Sequence, residues 1–138
     1  MTNETVHTMS YEEFNNGIVD MLGLADLPIN TEVYIVTDDT VSAIPASTTS
    51  AVTKARLGWT VRPFDFSEDN VVGVQSKYNR RTHRTAGSSV AAGEDVVVSM
   101  TAAPKVIPYV AATHEERQII GKALTSAWAD YPVEIAEE

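Results

Sequence analysis

Apolar residues in this chain come in short β-branched runs broken by turn signals, and that rhythm restricts it to a mainly β fold. Val33-Tyr34-Ile35-Val36 lies between Pro28-Ile29-Asn30 and Thr37-Asp38-Asp39-Thr40. It reads as a strand, a turn and a second short strand over 41–45. The small polar stretch 46–50 reads as a loop. Leu57, Trp59 and Val61 alternate around Gly58, which predicts a strand with a bulge over 54–61. Further short strands are expected at 71–74, 96–100, 106–107 and 133–135. Many short strands with frequent turns predict a small β-sandwich or β-barrel. At 138 residues the chain can bury a core but is too short for an α/β barrel.

The N-terminal part reads differently. Residues 1–9 are polar and predict a flexible arm. Ser10-Tyr11-Glu12-Glu13 fits a capping box, and Tyr11, Phe14, Ile18, Met21 and Leu22 recur at helical spacing before Gly23. One amphipathic helix is therefore expected over about 11–22. Behind it the chain reads as one β-rich domain over 10–138. This comprises a β unit at about 27–75, a basic loop at 77–89 and a β unit at about 90–135.

The two β units match weakly. Shifted by 63 residues without a gap, Val33 falls on Val96, Ile35 on Val98, Ile44-Pro45 on Ile107-Pro108 and Leu57-Gly58 on Ile120-Gly121. Glu32 meets Asp95 and Lys54 meets Arg117. Two related β units are one reading, and generic strand–turn–strand punctuation is the other. The repeat bears on one ambiguous segment. Locally, 114–128 keeps helical spacing behind Thr113-His114-Glu115-Glu116. If the repeat holds, 118–125 corresponds to 55–62 and becomes a strand, with only a helical turn or loop before it.

Ten Lys+Arg against 19 Asp+Glu give a formal net charge of −9, which favours solubility and counts against a general nucleic-acid binder. The absence of cysteine excludes a disulfide scaffold, a thiolate metal site and a Cys nucleophile. No apolar run is long enough for a membrane helix, and residues 1–14 do not resemble a targeting signal. No glycine-rich phosphate loop, nucleophile elbow or paired metal-spaced histidine occurs, so no cofactor, metal or enzymatic activity is expected.

The sharpest charge feature is Lys77-Tyr78-Asn79-Arg80-Arg81-Thr82-His83-Arg84, with four of the ten basic residues. Lys77, Tyr78, Arg80, Arg81 and Arg84 could contact phosphate or nucleic acid, dock on an acidic protein surface, or sit in a solvated loop that balances nearby acids. Trp59 and Trp128 could anchor a core or an interface.

Residues 87–138 resemble the small head-decoration (cement) proteins of tailed phages. The stretches that carry this are 87–98 (Gly-Ser-Ser-Val-Ala-Ala-Gly-Glu-Asp-Val-Val-Val), Lys105-Val106-Ile107-Pro108, 119–125 (Ile-Ile-Gly-Lys-Ala-Leu-Thr) and Tyr131-Pro132-Val133-Glu134-Ile135. The resemblance implies a β-rich, non-catalytic protein on the outer surface of a virion. It would bind the major capsid protein where subunits meet, self-associate as a trimer and brace the shell. The helix at 11–22 and the basic loop are not parts of that pattern. On this reading Tyr11 and Phe14 join the basic cluster and the two tryptophans as candidate capsid-binding residues. The alternatives are a head–tail connector or tail-tube module, and a small nucleic-acid-binding β module.

Overall fold

The computed structural model describes residues 17–78 and 80–137. Among these residues ten strands carry the fold, in two sets of five. The first set is β1 (Ile18–Gly23), β2 (Glu32–Thr37), β3 (Thr40–Ala43), β4 (Arg56–Thr60) and β5 (Val72–Gln75). A short helix α1 (Ser50–Lys54) precedes β4, its first turn capped by the Thr49 hydroxyl accepting from the Val52 N–H. These strands close into a barrel in the order β1-β3-β2-β4-β5. Val19, Met21, Val33, Ile35, Val41, Leu57, Val72 and Val74 fill it.

The second set is β6 (Arg80–Thr85), β7 (Asp95–Val98), β8 (Val106–Pro108), β9 (Ile119–Ala123) and β10 (Pro132–Glu137). Its order is β6-β10-β9-β7-β8, and a parallel bridge between Ala86 and Val106 brings β8 back to β6. Read around the circle, this is the order of the first barrel. The first barrel closes through the same parallel contact, Gly23 opposite Val41.

The correspondence extends to single residues. The antiparallel bridge Leu27–Phe64 near the end of the first barrel recurs as Val90–Ala127 in the second, each 63 positions on. A bulge places both Gly58 and Arg56 against successive residues of β2. The same bulge places Gly121 and Ile119 against β7. Asn30 and Gly93, also 63 apart, both take positive φ before the second strand of their barrel. The chain is therefore two copies of one five-stranded barrel, and the fold class is mainly β as the strand rhythm implied.

The ungapped alignment needs two adjustments. Val41 lies opposite Ile35, and Val106 lies opposite Val98, so β8 sits two residues further on than a uniform shift gives. The Ile44-Pro45 match is thus not a structural equivalence. Val72 lies opposite Met21, and Val133 opposite Arg84, so the last strand comes two residues sooner. Both differences are changes in connecting loops, which tolerate them. The ambiguous 114–128 segment resolves as the repeat required, with a 3-10 turn at Glu116–Gln118 and then β9.

Two expectations change. The helix foreseen over 11–22 is strand from Ile18 onward, and its earlier part lies outside the described residues. The helical stripe omitted Val19. Val19 and Met21 point inward with period two, while Leu22 is exposed, because pairing with β5 overrides the local spacing. The basic loop foreseen over 77–89 contains β6, paired with β10 across all six of its residues. A strand of Arg-Arg-Thr-His-Arg-Thr has no apolar alternation to reveal it. Its partner strand supplies both the ladder and the counter-charges.

Candidate partner-binding surface

Two arginines of the basic cluster, Arg81 and Arg84, face the protein itself, while Lys77, Arg80 and His83 are exposed. Arg81, on β6, is the link between the barrels. Its Nε donates to Glu134 Oε1 at 2.7 Å, its Nη1 donates to the Asp20 carbonyl at 3.0 Å, and its Nη2 donates to Asp39 Oδ1. Asp20 and Asp39 belong to the first barrel and Glu134 to the second. Around this pin the Asp39 N–H donates to the Leu124 carbonyl at 2.9 Å and the Ser126 N–H to Asp38 Oδ1 at 2.7 Å. Lys122, almost fully buried, donates to the Lys54 and Gly93 carbonyls and pairs with Asp95 at 3.0 Å. Leu124 and Ala136 of the second barrel join the apolar cluster of the first.

Arg84 forks onto Glu137, Nε to Oε2 at 2.7 Å and Nη2 to Oε1 at 2.9 Å. The Thr82 hydroxyl also donates to Oε2, and Arg80 lies 3.7 Å from Oε1. Glu137 is buried despite its charge, which these donors make affordable. The Arg84 hydrogen bonds hold the Glu137 carboxyl below the ordinary range, and Arg81 does the same for Glu134. Burial pushes Asp39 the other way, against the pull of Arg81.

The signs decide the acid response. A carboxylate with a lowered folded pKa stabilises the fold above its unfolded pKa, and this contribution disappears as pH falls through the folded value. Glu134 and Glu137 act in this sense, and Asp39 partly offsets them. Urea midpoints are therefore expected to hold from neutral pH to the ordinary glutamate value of 4.5 and to decline below it. The decline should be shallower in Glu137→Gln, which starts from a lower midpoint.

The other candidates divide clearly. Tyr78, read as a contact residue, is 2% exposed and belongs to the core of the first barrel, where the chain crosses to the second. Lys77 is exposed and lies 5.2 Å from the Tyr78 ring centroid. Trp59 is 42% exposed on the outer face of β4, and Trp128 is 74% exposed in the β9–β10 loop. Tyr11 and Phe14 lie outside the described residues.

Two further aromatics were not among the candidate contact residues. Phe66, in the β4–β5 loop, and Tyr131, in the equivalent β9–β10 loop, are both largely exposed. The same loop thus presents a bare aromatic in each barrel, Phe66 in one and Trp128 with Tyr131 in the other. Beside Trp128 lies an open hollow of about 490 Å³ that includes Val90, Ala127, Asp38 and Glu94. The equivalence of the two loops was the available signal, and it needed the repeat to be carried through to the last strand.

Among the described residues no group of three or more His, Cys, Asp or Glu could hold a metal ion. No helix among them is long and apolar enough to cross a membrane. No family model matches the sequence, and no curated protein matches it. Among solved structures, the chain is similar to the head fiber gp8.5 N base of bacteriophage phi29. The two share 15% identity over 88% of this chain and 92% of that one, with a TM-score of 0.37. That likeness is too slight to bear on function.

Proposed function

We propose that this chain is a structural protein of a virus head that decorates the outer shell by binding the major capsid protein. The observation that carries this reading is the repeated aromatic loop. Each barrel holds out a large ring on the same loop, Phe66 on one and Trp128 with Tyr131 on the other. Rings left in water by a well-filled core are the side chains that anchor protein interfaces. Two such loops on one chain suit a shell, where many weak and similar contacts add through multivalency. The sequence resemblance to decoration proteins supports the same role. Its stretches supply the positive-φ entry to β7, strand β8, the close approach at Gly121 and strand β10, which together frame the second barrel.

The basic cluster is not the capsid-binding element in this reading. Arg81 and Arg84 are engaged in pairs that hold the molecule together, and the net charge of −9 counts against the nucleic-acid alternative. The test is co-sedimentation with assembled shells of the major capsid protein. Wild-type protein is expected to bind saturably. Trp128→Ser, a change at an exposed ring, should leave the melting temperature within about 2 °C and weaken attachment at least about tenfold. Undiminished attachment of this variant would move the contact away from the aromatic loops.

A further inference from the structure

The contact between the two barrels is heterologous: one face of the second barrel sits on a different face of the first. The seated face is a row across four strands, Arg81–Ala136–Lys122–Asp95, in which neighbours are direct cross-strand partners. It rests on the first barrel at the seam between β1 and β3, where Arg81 enters a hollow of about 180 Å³ with Asp20, Met21, Leu22, Asp39 and Val71. Because the barrels are copies, each face has a counterpart. The counterpart row on the first barrel is Ile18–Gln75–Trp59–Glu32, joined by the same cross-strand pairs. There Trp59 and Glu32 are exposed where Lys122 and Asp95 are buried or half-buried. The counterpart seam on the second barrel lies between β6 and β8. It is open, about 530 Å³, and includes His83, Arg84, Thr85, Pro104 and Pro132 at the places of Asp20, Met21, Leu22, Asp39 and Val71.

We propose that a second copy of this chain fills that seam, so that the protein associates head to tail. The Trp59 row of one copy seats on the β6–β8 seam of the next, continuing the contact already made within each chain. Charge favours this direction. Residues 17–76, which form the first barrel, hold eight acidic and three basic side chains, whereas residues 80–137 hold seven and six. In the lining of the seam, Arg80, Arg84 and Lys105 outnumber the one carboxylate, Glu137. The fit is looser than inside the chain. Asn30, Trp59 and Gln118 stand where Gly93, Lys122 and Ala55 allow the barrels to meet closely, and a Cβ on Gly93 would lie 2.9 Å from that of Ala55. Larger side chains at these places make a contact through side chains rather than backbone, suited to reversible association. A heterologous contact gives a closed ring when its rotation closes and a filament when it does not.

Sedimentation velocity over a range of concentrations tests this, with Trp59→Glu to disable the row and Lys105→Glu to disable the seam. Among the described residues Lys105 pairs with exposed Asp130, so its loss costs the fold little. Wild-type protein is expected to associate as concentration rises. Each variant alone should associate at least about tenfold more weakly. An equimolar mixture should form a heterodimer, because each variant retains the face the other lacks. Glu32→Lys replaces Trp59→Glu if circular dichroism shows the latter unfolded. A wild-type monomer at every concentration would overturn the proposal. Association that survives both variants, or a mixture that stays monomeric, would do so equally. The proposal does not rest on shell binding, and either can fail without the other.

Discussion

Gly58→Ala is expected to destabilise the first barrel by about 3 kcal/mol or more. A Cβ at Gly58 would lie 1.7 Å from the Gln75 carbonyl oxygen, a backbone atom on β5 that cannot turn aside. Relief requires β4 and β5 to separate at the bulge, where Trp59 pairs with Gln75. Gly121 holds the same place in the second barrel, with its Cβ 2.2 Å from the Ala136 carbonyl oxygen. Gly121→Ala should therefore be costly too, though less so. Calorimetry checks both, with an expected fall in melting temperature on the order of 10 °C. A fall of only a few degrees for Gly58→Ala would mean that the strands yield more easily than their packing indicates.

These glycines show what a reading of the sequence could reach. Gly58 and Gly121 aligned without a gap, and the bulge at Gly58 followed from a glycine inside an alternating run. The strands at Val33, Val72, Val96 and Val133 were legible because each is a compact β-branched run. Strand β9 was legible only through the repeat, since Ile119, Ile120 and Ala123 also fit a helix. What stayed hidden was decided by contacts distant in sequence. β1 was masked by a chance helical spacing that only its pairing with β5 overrules. β6 was masked because its inward-facing positions carry Thr82 and Arg84, where the first barrel has Val19 and Met21. Nothing local says that Glu137, 53 residues beyond Arg84, will receive that guanidinium. The cluster left a partner surface and a loop balancing nearby acids both open, because the acids that Arg81 and Arg84 meet, Glu134 and Glu137, lie at the far end of the same chain.

Arg81→Glu should have the second large effect. It removes three donated bonds and sets a third carboxylate against Asp39 and Glu134. Both acids are about one-quarter to one-third exposed, so water screens only part of the cost. A loss of roughly 2–3 kcal/mol is expected. The form of the loss matters more than its size. Each barrel keeps its own strands and core, while the pin between them goes, so urea unfolding should broaden or split into two transitions. Arg81→Lys should recover part of the coupling through charge without the fork. Thermal and urea melts followed by both tryptophans give the measurement, since Trp59 and Trp128 report separate barrels. One unbroken transition at the wild-type midpoint would show that Leu124, Ala136 and Lys122 suffice to couple the barrels.

The proposed role is tested most directly by counting copies of this protein in purified virus particles. Quantitative mass spectrometry against the major capsid protein gives that ratio. Decoration of the outer shell predicts a copy number that scales with the shell lattice, with the protein removable from intact heads and able to rebind to saturation. A connector or tail module would instead give a small fixed number set by a single vertex, and that number, or absence from the particle, would contradict the account.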